Sequence, residues 1–298
     1  MFLLVSFLAL VVFLPYRAFC QPYFQSRFAG VVLPNEPDAP TPWLAAGSAL
    51  RTADGTCATT TENNAYLYLG GFGFQIPAMA TILGIKVSLK AGHSAAGAFG
   101  LFLLKNGNRV GSHKTVSPGV ATTCTETGWK SWGSATDLWG TSWTAADINA
   151  QGFGLRVGSG TTAGTRFVDA AEITVYYALP NITAPSDWSP RVARGAVAES
   201  EDLIVTYSYV PPGGSIIVGV QNVYPAVPPG LRLWVKGPAQ LGYVELPLSE
   251  PYNAVTIVTN LSGSGSFTLQ LKVEAREVPR SYVGASLTVI LVYTLLIS

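Results

Sequence analysis

The chain has 298 residues, of which 12% are charged, with a formal net charge of +1. No basic stripe marks a nucleic-acid surface, and no acidic run marks a solvated tail. A hydrophobic fraction of 48% excludes disorder, and the length suffices for two ordinary domains. The 31 glycines and 20 prolines are spread between apolar runs, the punctuation of many short strands joined by turns.

Residues 2–14 are almost wholly apolar and too short to span a bilayer comfortably. Pro15 ends the run, and Ala18, Phe19 and Cys20 follow as a small-x-small cleavage signal. Residues 1–20 therefore read as a secretory signal peptide, with membrane contact confined to export. The alternative is a segment that is kept and buried. Removal after Cys20 leaves Cys57 and Cys124 as an even pair, which an oxidising compartment would join as a disulfide.

Residues 21–48 form an arm and tether. The arm, residues 21–34, mixes aromatic and aliphatic side chains: Tyr23, Phe24, Phe28, Val31, Val32 and Leu33. The tether, residues 35–42, holds three prolines and is expected to be extended and stiff. An apolar arm on such a tether either adds a strand to a neighbouring subunit or folds back along its own domain.

The fold class predicted is all-β, with two β-sandwich domains in tandem, the first jelly-roll-like and the second Ig-like. The first domain spans residues 49–179. In residues 81–90, Leu83, Ile85, Val87 and Leu89 alternate with more polar positions, predicting a strand with one buried face. Residues 99–105 and 109–112 flank Asn106-Gly107, a hairpin turn. Thr144 and Asp147 have the spacing of a capping box before a single helical turn.

Residues 70–177 resemble a β-sandwich module that recurs in phage structural and tail-associated proteins and in bacterial surface proteins. The landmarks are F-G-F-Q-I-P (72–77), A-T-I-L-G-I-K-V (80–87), K-N-G-N-R-V-G (105–111), D-L-W-G (137–140), T-A-A-D-I-N (144–149), G-F-G-L (152–155) and V-D-A-A-E-I-T-V-Y-Y (168–177). The resemblance implies a packing and display module and brings no catalytic residues with it.

Residues 180–190 read as a linker, and residues 191–298 as the second domain. Two V-P-P-G copies, at 210–213 and 227–230, predict turns between its strands. The last strand carries Leu287, Val289, Leu291, Tyr293, Leu295 and Ile297 on one face and is apolar on the other too. It belongs either at the centre of its own sheet or at a subunit interface.

The two histidines, His93 and His113, are too few for a multi-histidine metal site. No nucleophile elbow, phosphate loop or zinc-protease helix is present, so the chain reads as a non-enzyme without cofactor or metal. Asp137, Asp147 and Asp169 lack the loop spacing of a calcium site. Four tryptophans fall close together: Trp139 and Trp143 read as core, and Trp129 and Trp132 as a glycan platform. Asn181 and Asn260 sit in glycosylation sequons.

These features predict a secreted structural protein, the subunit of an extracellular filament, pilus-like fibre or surface layer. Its partner would be itself, with the arm of one copy filling a groove on the next in head-to-tail contacts. A virion component such as a tail fibre or decoration protein is one alternative. A carbohydrate-binding adhesin that meets cell-surface glycans is another.

Overall fold

The computed structural model describes residues 6–13 (backbone course only), 22–34, 43–185, 187–224, 226–249, 253–282 and 286–297. Two compact units emerge, Gln21–Ala178 on the one hand and Met1–Cys20 with Leu179–Ser298 on the other. The strands in chain order begin with β1 (Ser6–Phe13). The first unit holds β2 (Tyr23–Phe28), β3 (Val31–Val32), β4 (Ala58–Thr60), β5 (Tyr66–Gly70), β6 (Thr81–His93), β7 (Phe99–Lys105), β8 (Asn108–Val116) and β9 (Gly128–Gly133). It closes with the short helix α1 (Ala145–Asn149), β10 (Gly154–Gly158) and β11 (Arg166–Ala178). The second unit holds β12 (Asn181–Thr183), β13 (Arg191–Ala193), β14 (Val197–Glu199), β15 (Leu203–Tyr224), β16 (Leu231–Lys236), β17 (Val244–Leu246), β18 (Val255–Ala275) and β19 (Ser286–Leu296).

The fold is all-β. In the first unit, one antiparallel sheet runs β2-β11-β6-β9, with β4 also on β11; the other runs β3-β5-β10-β7-β8. Ile85, Val87 and Leu89 of β6 and Ile173 and Val175 of β11 are fully buried. So are Leu69, Leu101, Leu103, Leu155 and Val157 of the second sheet. Alternation in β6 breaks at Leu83, which is only half-buried while Ile82 is buried. A bulge is the reason. Ile82 pairs with Tyr177 and Gly84 with Tyr176, so one extra residue shifts the side-chain pattern by one place.

Local chemistry explains the connections. Asn106 and Gly107 both take positive φ, at 50° and 80°, which matches a two-residue hairpin turn to the twist of β7 and β8. Thr144 caps α1 by accepting from the Asp147 amide, while the Asp147 carboxylate accepts from the Thr144 amide. Cys57 and Cys124 form a disulfide, with Cα atoms 5.7 Å apart and 67 positions between them in sequence. Closing a loop of that length contributes about 4 kcal/mol through the entropy of the unfolded chain.

The arm lies on its own unit. Residues 23–28 pair with 172–177 of β11, and Val31 and Val32 pair with Gly70 and Leu69 of β5. It crosses from one sheet to the other at Ala29-Gly30. A Cβ on Gly30 would stand 2.5 Å from the Gly71 carbonyl oxygen, so the corner has room only for glycine. Leu33 seats against the bare Cα of Gly70. Tyr23 stacks on Tyr177 at 5.7 Å, and Phe24 and Phe28 lie 6.1 and 6.3 Å from Tyr176 and Trp129. Of the two courses open to the arm, this is the one that folds back along its own domain. β11 and β5 would otherwise offer open edges, and the arm satisfies their backbone groups within the chain. The tether, residues 35–42, lies outside the described residues.

In the second unit, β15 and β18 are long, bent strands that pair along most of their length. The sheet path is β13-β1-β19-β15-β18-β16-β17, with β12 on β15 and β14 on β18. The first V-P-P-G copy makes no chain reversal. It lies inside β15, where the register with β18 shifts repeatedly. The second copy does make the turn before β16, with Gly230 at φ 79°. Residues 181–183 of the expected linker are strand β12, paired with β15. β19 is internal, flanked by β15 and by β1, which runs parallel to it. Leu287, Val289 and Leu291 are buried, Tyr293, Leu295 and Ile297 half-buried. The segment read as a leader therefore supplies β1, while the expected cleavage signal at Ala18–Cys20 lies outside the described residues.

Candidate functional site

The outer face of the β5-β10-β7-β8 layer carries the candidate site. Register builds it in two cross-strand rows. In one, Tyr66, Gly158, Gly100 and Thr115 lie side by side; in the next, Tyr68, Arg156 and Phe102. Because side chains alternate along a strand, these residues face away from the core that holds Leu67, Leu155 and Leu101. The two glycines leave a depression between taller neighbours. A Cβ on Gly158 would meet the Tyr66 ring at 3.3 Å, and one on Gly100 would meet His113 Nε2 at 2.7 Å. The result is a groove of about 320 Å³, walled by Tyr66, Phe102, His113 and Arg156 and rimmed by Thr161 and Thr162.

Arg156 dominates the groove. It is only 5% exposed. Its guanidinium carbon lies 3.6 Å from the Tyr66 ring centroid, 5.4 Å from that of Phe102 and 5.9 Å from that of Tyr68. Nε and Nη1 are buried and find no hydrogen-bond acceptor among the described residues. The Phe102 ring also stacks on His113 at 4.9 Å, and the Arg109 guanidinium carbon lies 5.8 Å from its centroid. None of the described residues lining the groove is acidic.

The rim is anchored by a second buried arginine, Arg166. Its Nε donates to the Ser159 carbonyl at 3.0 Å, and Nη1 donates to the carbonyls of Thr61 and Gly164, each at 2.9 Å. Nη2 donates to Asn63 Oδ1 at 2.9 Å and to the Thr162 carbonyl. The loop between β10 and β11 is thereby tied to the sheet. His93 is buried beside it, its Nδ1 accepting from the Ala95 amide at 3.0 Å. Burial, with the charge of Arg166 second, holds the His93 pKa below the usual histidine value.

The tryptophan platform expected from the sequence does not assemble. Trp129 and Trp132 sit on edge strand β9 opposite Lys90 and Val87. Three positions apart on a strand, they point to opposite faces and cannot share one ring. Trp129 is 45% exposed and packs on Phe28. Trp139 and Trp143 are buried; Trp139 Nε1 donates to the Ile85 carbonyl and Trp143 Nε1 to the Leu138 carbonyl. Asp169, Asp147 and Asp137 are spent on lysines, each carboxylate within 2.8 Å of Lys90, Lys105 or Lys114 respectively. Among the described residues no three metal-ligating side chains cluster. Asn181 is half-buried on β12 and Asn260 exposed on β18.

Arg156 is absent from the candidates drawn from sequence, although its signal is present there. G-L-R-V-G (154–158) places a charge between two glycines on one face of a strand whose other face is Leu and Val. A lone arginine at the centre of such a strand marks a face meant to meet something polar.

No family model and no curated protein matches the chain. Among solved structures, the chain is similar to a fucolectin from striped bass (Morone saxatilis) serum, at 10% identity over 93% of this chain and 97% of that one, TM-score 0.26. It is also similar to the tandem CBM22 domains of Paenibacillus barcinonensis Xyn10C, at 12% identity over 90% of this chain and 96% of that one, TM-score 0.25. Likenesses with TM-scores this low carry no argument for this chain.

Proposed function

We propose that this chain is a non-catalytic carbohydrate-binding protein whose first unit holds a sugar in the groove over β5, β10 and β7. The observation that carries this reading is Arg156, buried among aromatic rings with Nε and Nη1 unmatched, above a floor of two glycines. Aromatic walls suit the apolar face of a pyranose, and donors at the base suit its hydroxyl or acid groups. A groove of about 320 Å³ lies at the small end of ligand sites and fits a single ring with its substituents. The disulfide suits an extracellular setting for such a role.

Filament assembly by strand addition is set aside, because the arm that would be donated is paired with β11 and β5 of its own unit. The virion alternative rests on the module resemblance alone, and nothing in the groove bears on it.

A glycan array probed with the full chain, followed by calorimetric titration of the best binder, tests the reading. Tyr66→Ala and Phe102→Ala should each weaken binding about tenfold, the scale of one aromatic contact. Trp129→Ala should leave it unchanged. Binding that survived both groove substitutions, or no glycan binding by the intact chain, would overturn the proposal.

A further inference from the structure

Resting on the carbohydrate reading, we infer that the groove selects a carboxylated sugar, with the carboxylate seated on Arg156. The two buried arginines of the first unit make the case. Arg166 is surrounded by four carbonyl oxygens and an amide oxygen, so its donors are spent inside the chain. Arg156 is buried to a similar depth, yet it lies over aromatic rings, and two of its nitrogens donate to nothing among the described residues. A buried cation without an anion is costly, and ring contacts offset only part of that cost.

Sugar hydroxyls would satisfy the orphaned donors but not the charge. A carboxylate does both, through charge-assisted bonds to a planar group already held in place by Tyr66. The surroundings have the right sign. Among the described residues no acidic side chain lines the groove to compete for the guanidinium. An acidic ring seated over Gly158 and Gly100 would place its carboxylate on the guanidinium while its hydroxyls reach Thr115 and the threonines of the rim.

The test uses the full chain and a panel of polyuronates and sialylated glycans, each paired with its carboxyl-esterified form. The pairs differ in the acid alone. The expected result is acid binding that weakens at least tenfold on esterification and falls with rising salt. Arg156→Gln should erase the discrimination, binding both forms equally and weakly. Its melting temperature, no lower than that of the parent, would show that the fold is intact. Equal binding of acid and ester by the parent chain, or undiminished acid preference in Arg156→Gln, would overturn the inference and leave the carbohydrate reading standing. Binding to no member of the panel and to no neutral glycan would overturn both.

Discussion

The Arg156 guanidinium carbon lies 3.6 Å from the centroid of the Tyr66 ring, on the face of the sheet that points away from the Leu67, Leu101 and Leu155 core. Stacking holds the cation in place but leaves Nε and Nη1 without an acceptor among the described residues. On the carbohydrate reading, this position serves a ligand at the expense of the free protein's stability. Arg156→Met should raise the melting temperature of the free chain or leave it unchanged, because it removes an unpaired buried charge. The same substitution at Arg166 should cost about 3–5 kcal/mol, because it strands five acceptors. Thermal melts of the two variants check the pair. Equal destabilisation by both would mean that Arg156 is a structural residue.

The groove floor can be filled at Gly158, against the Tyr66 wall. Gly158 has a backbone conformation open to alanine, and the added methyl would lie 3.3 Å from the Tyr66 ring. Gly158→Ala should keep the circular dichroism spectrum and the melting temperature close to those of the parent while lowering ligand affinity at least tenfold. Calorimetric titration reads the affinity. Unchanged affinity would place the ligand elsewhere.

Deleting residues 22–34 should expose the outer edges of β11 and β5. The backbone groups now met by Tyr23–Phe28 and Val31–Val32 would then invite pairing with another chain. The expected outcome is a lower melting temperature and concentration-dependent aggregation on size-exclusion chromatography. A deletion variant that stayed monomeric and equally stable would show that the arm does not seal those edges.

His93 predicts a pH dependence. Its pKa is held down by burial and by Arg166, so the folded chain binds that proton less readily than the unfolded chain. A depressed histidine contributes full stability above the unfolded value of about 6.5, and the contribution is lost as pH falls below it. Asp137 and Asp147 do not mask the effect. Burial works to raise both, but their lysine partners and local amides hold them below the usual carboxylate range, so both stay ionised in this window. Denaturant midpoints should therefore drop between pH 7.5 and 5.5, and His93→Gln should flatten the trend. A flat profile in the parent chain would show that His93 is not held neutral.

Much of this architecture was legible in the linear pattern. Period-2 alternation, Asn106-Gly107, the Thr144 to Asp147 spacing and the even cysteine pair each act over a few residues or by simple counting. They specified an all-β chain, one hairpin, one capped helical turn and the Cys57–Cys124 link. What the sequence could not supply was registration between distant strands. A single bulge beside Leu83 turns a face over, and a separation of three positions sends Trp129 and Trp132 to opposite sides. The destination of the arm depended on which strand edges the rest of the chain left open. The groove depended on Tyr66, Arg156 and Phe102 meeting in one place from three strands up to 90 positions apart. Side-chain type is written locally, but coincidence in space is set by strand pairing, and only the folded sheet decides it.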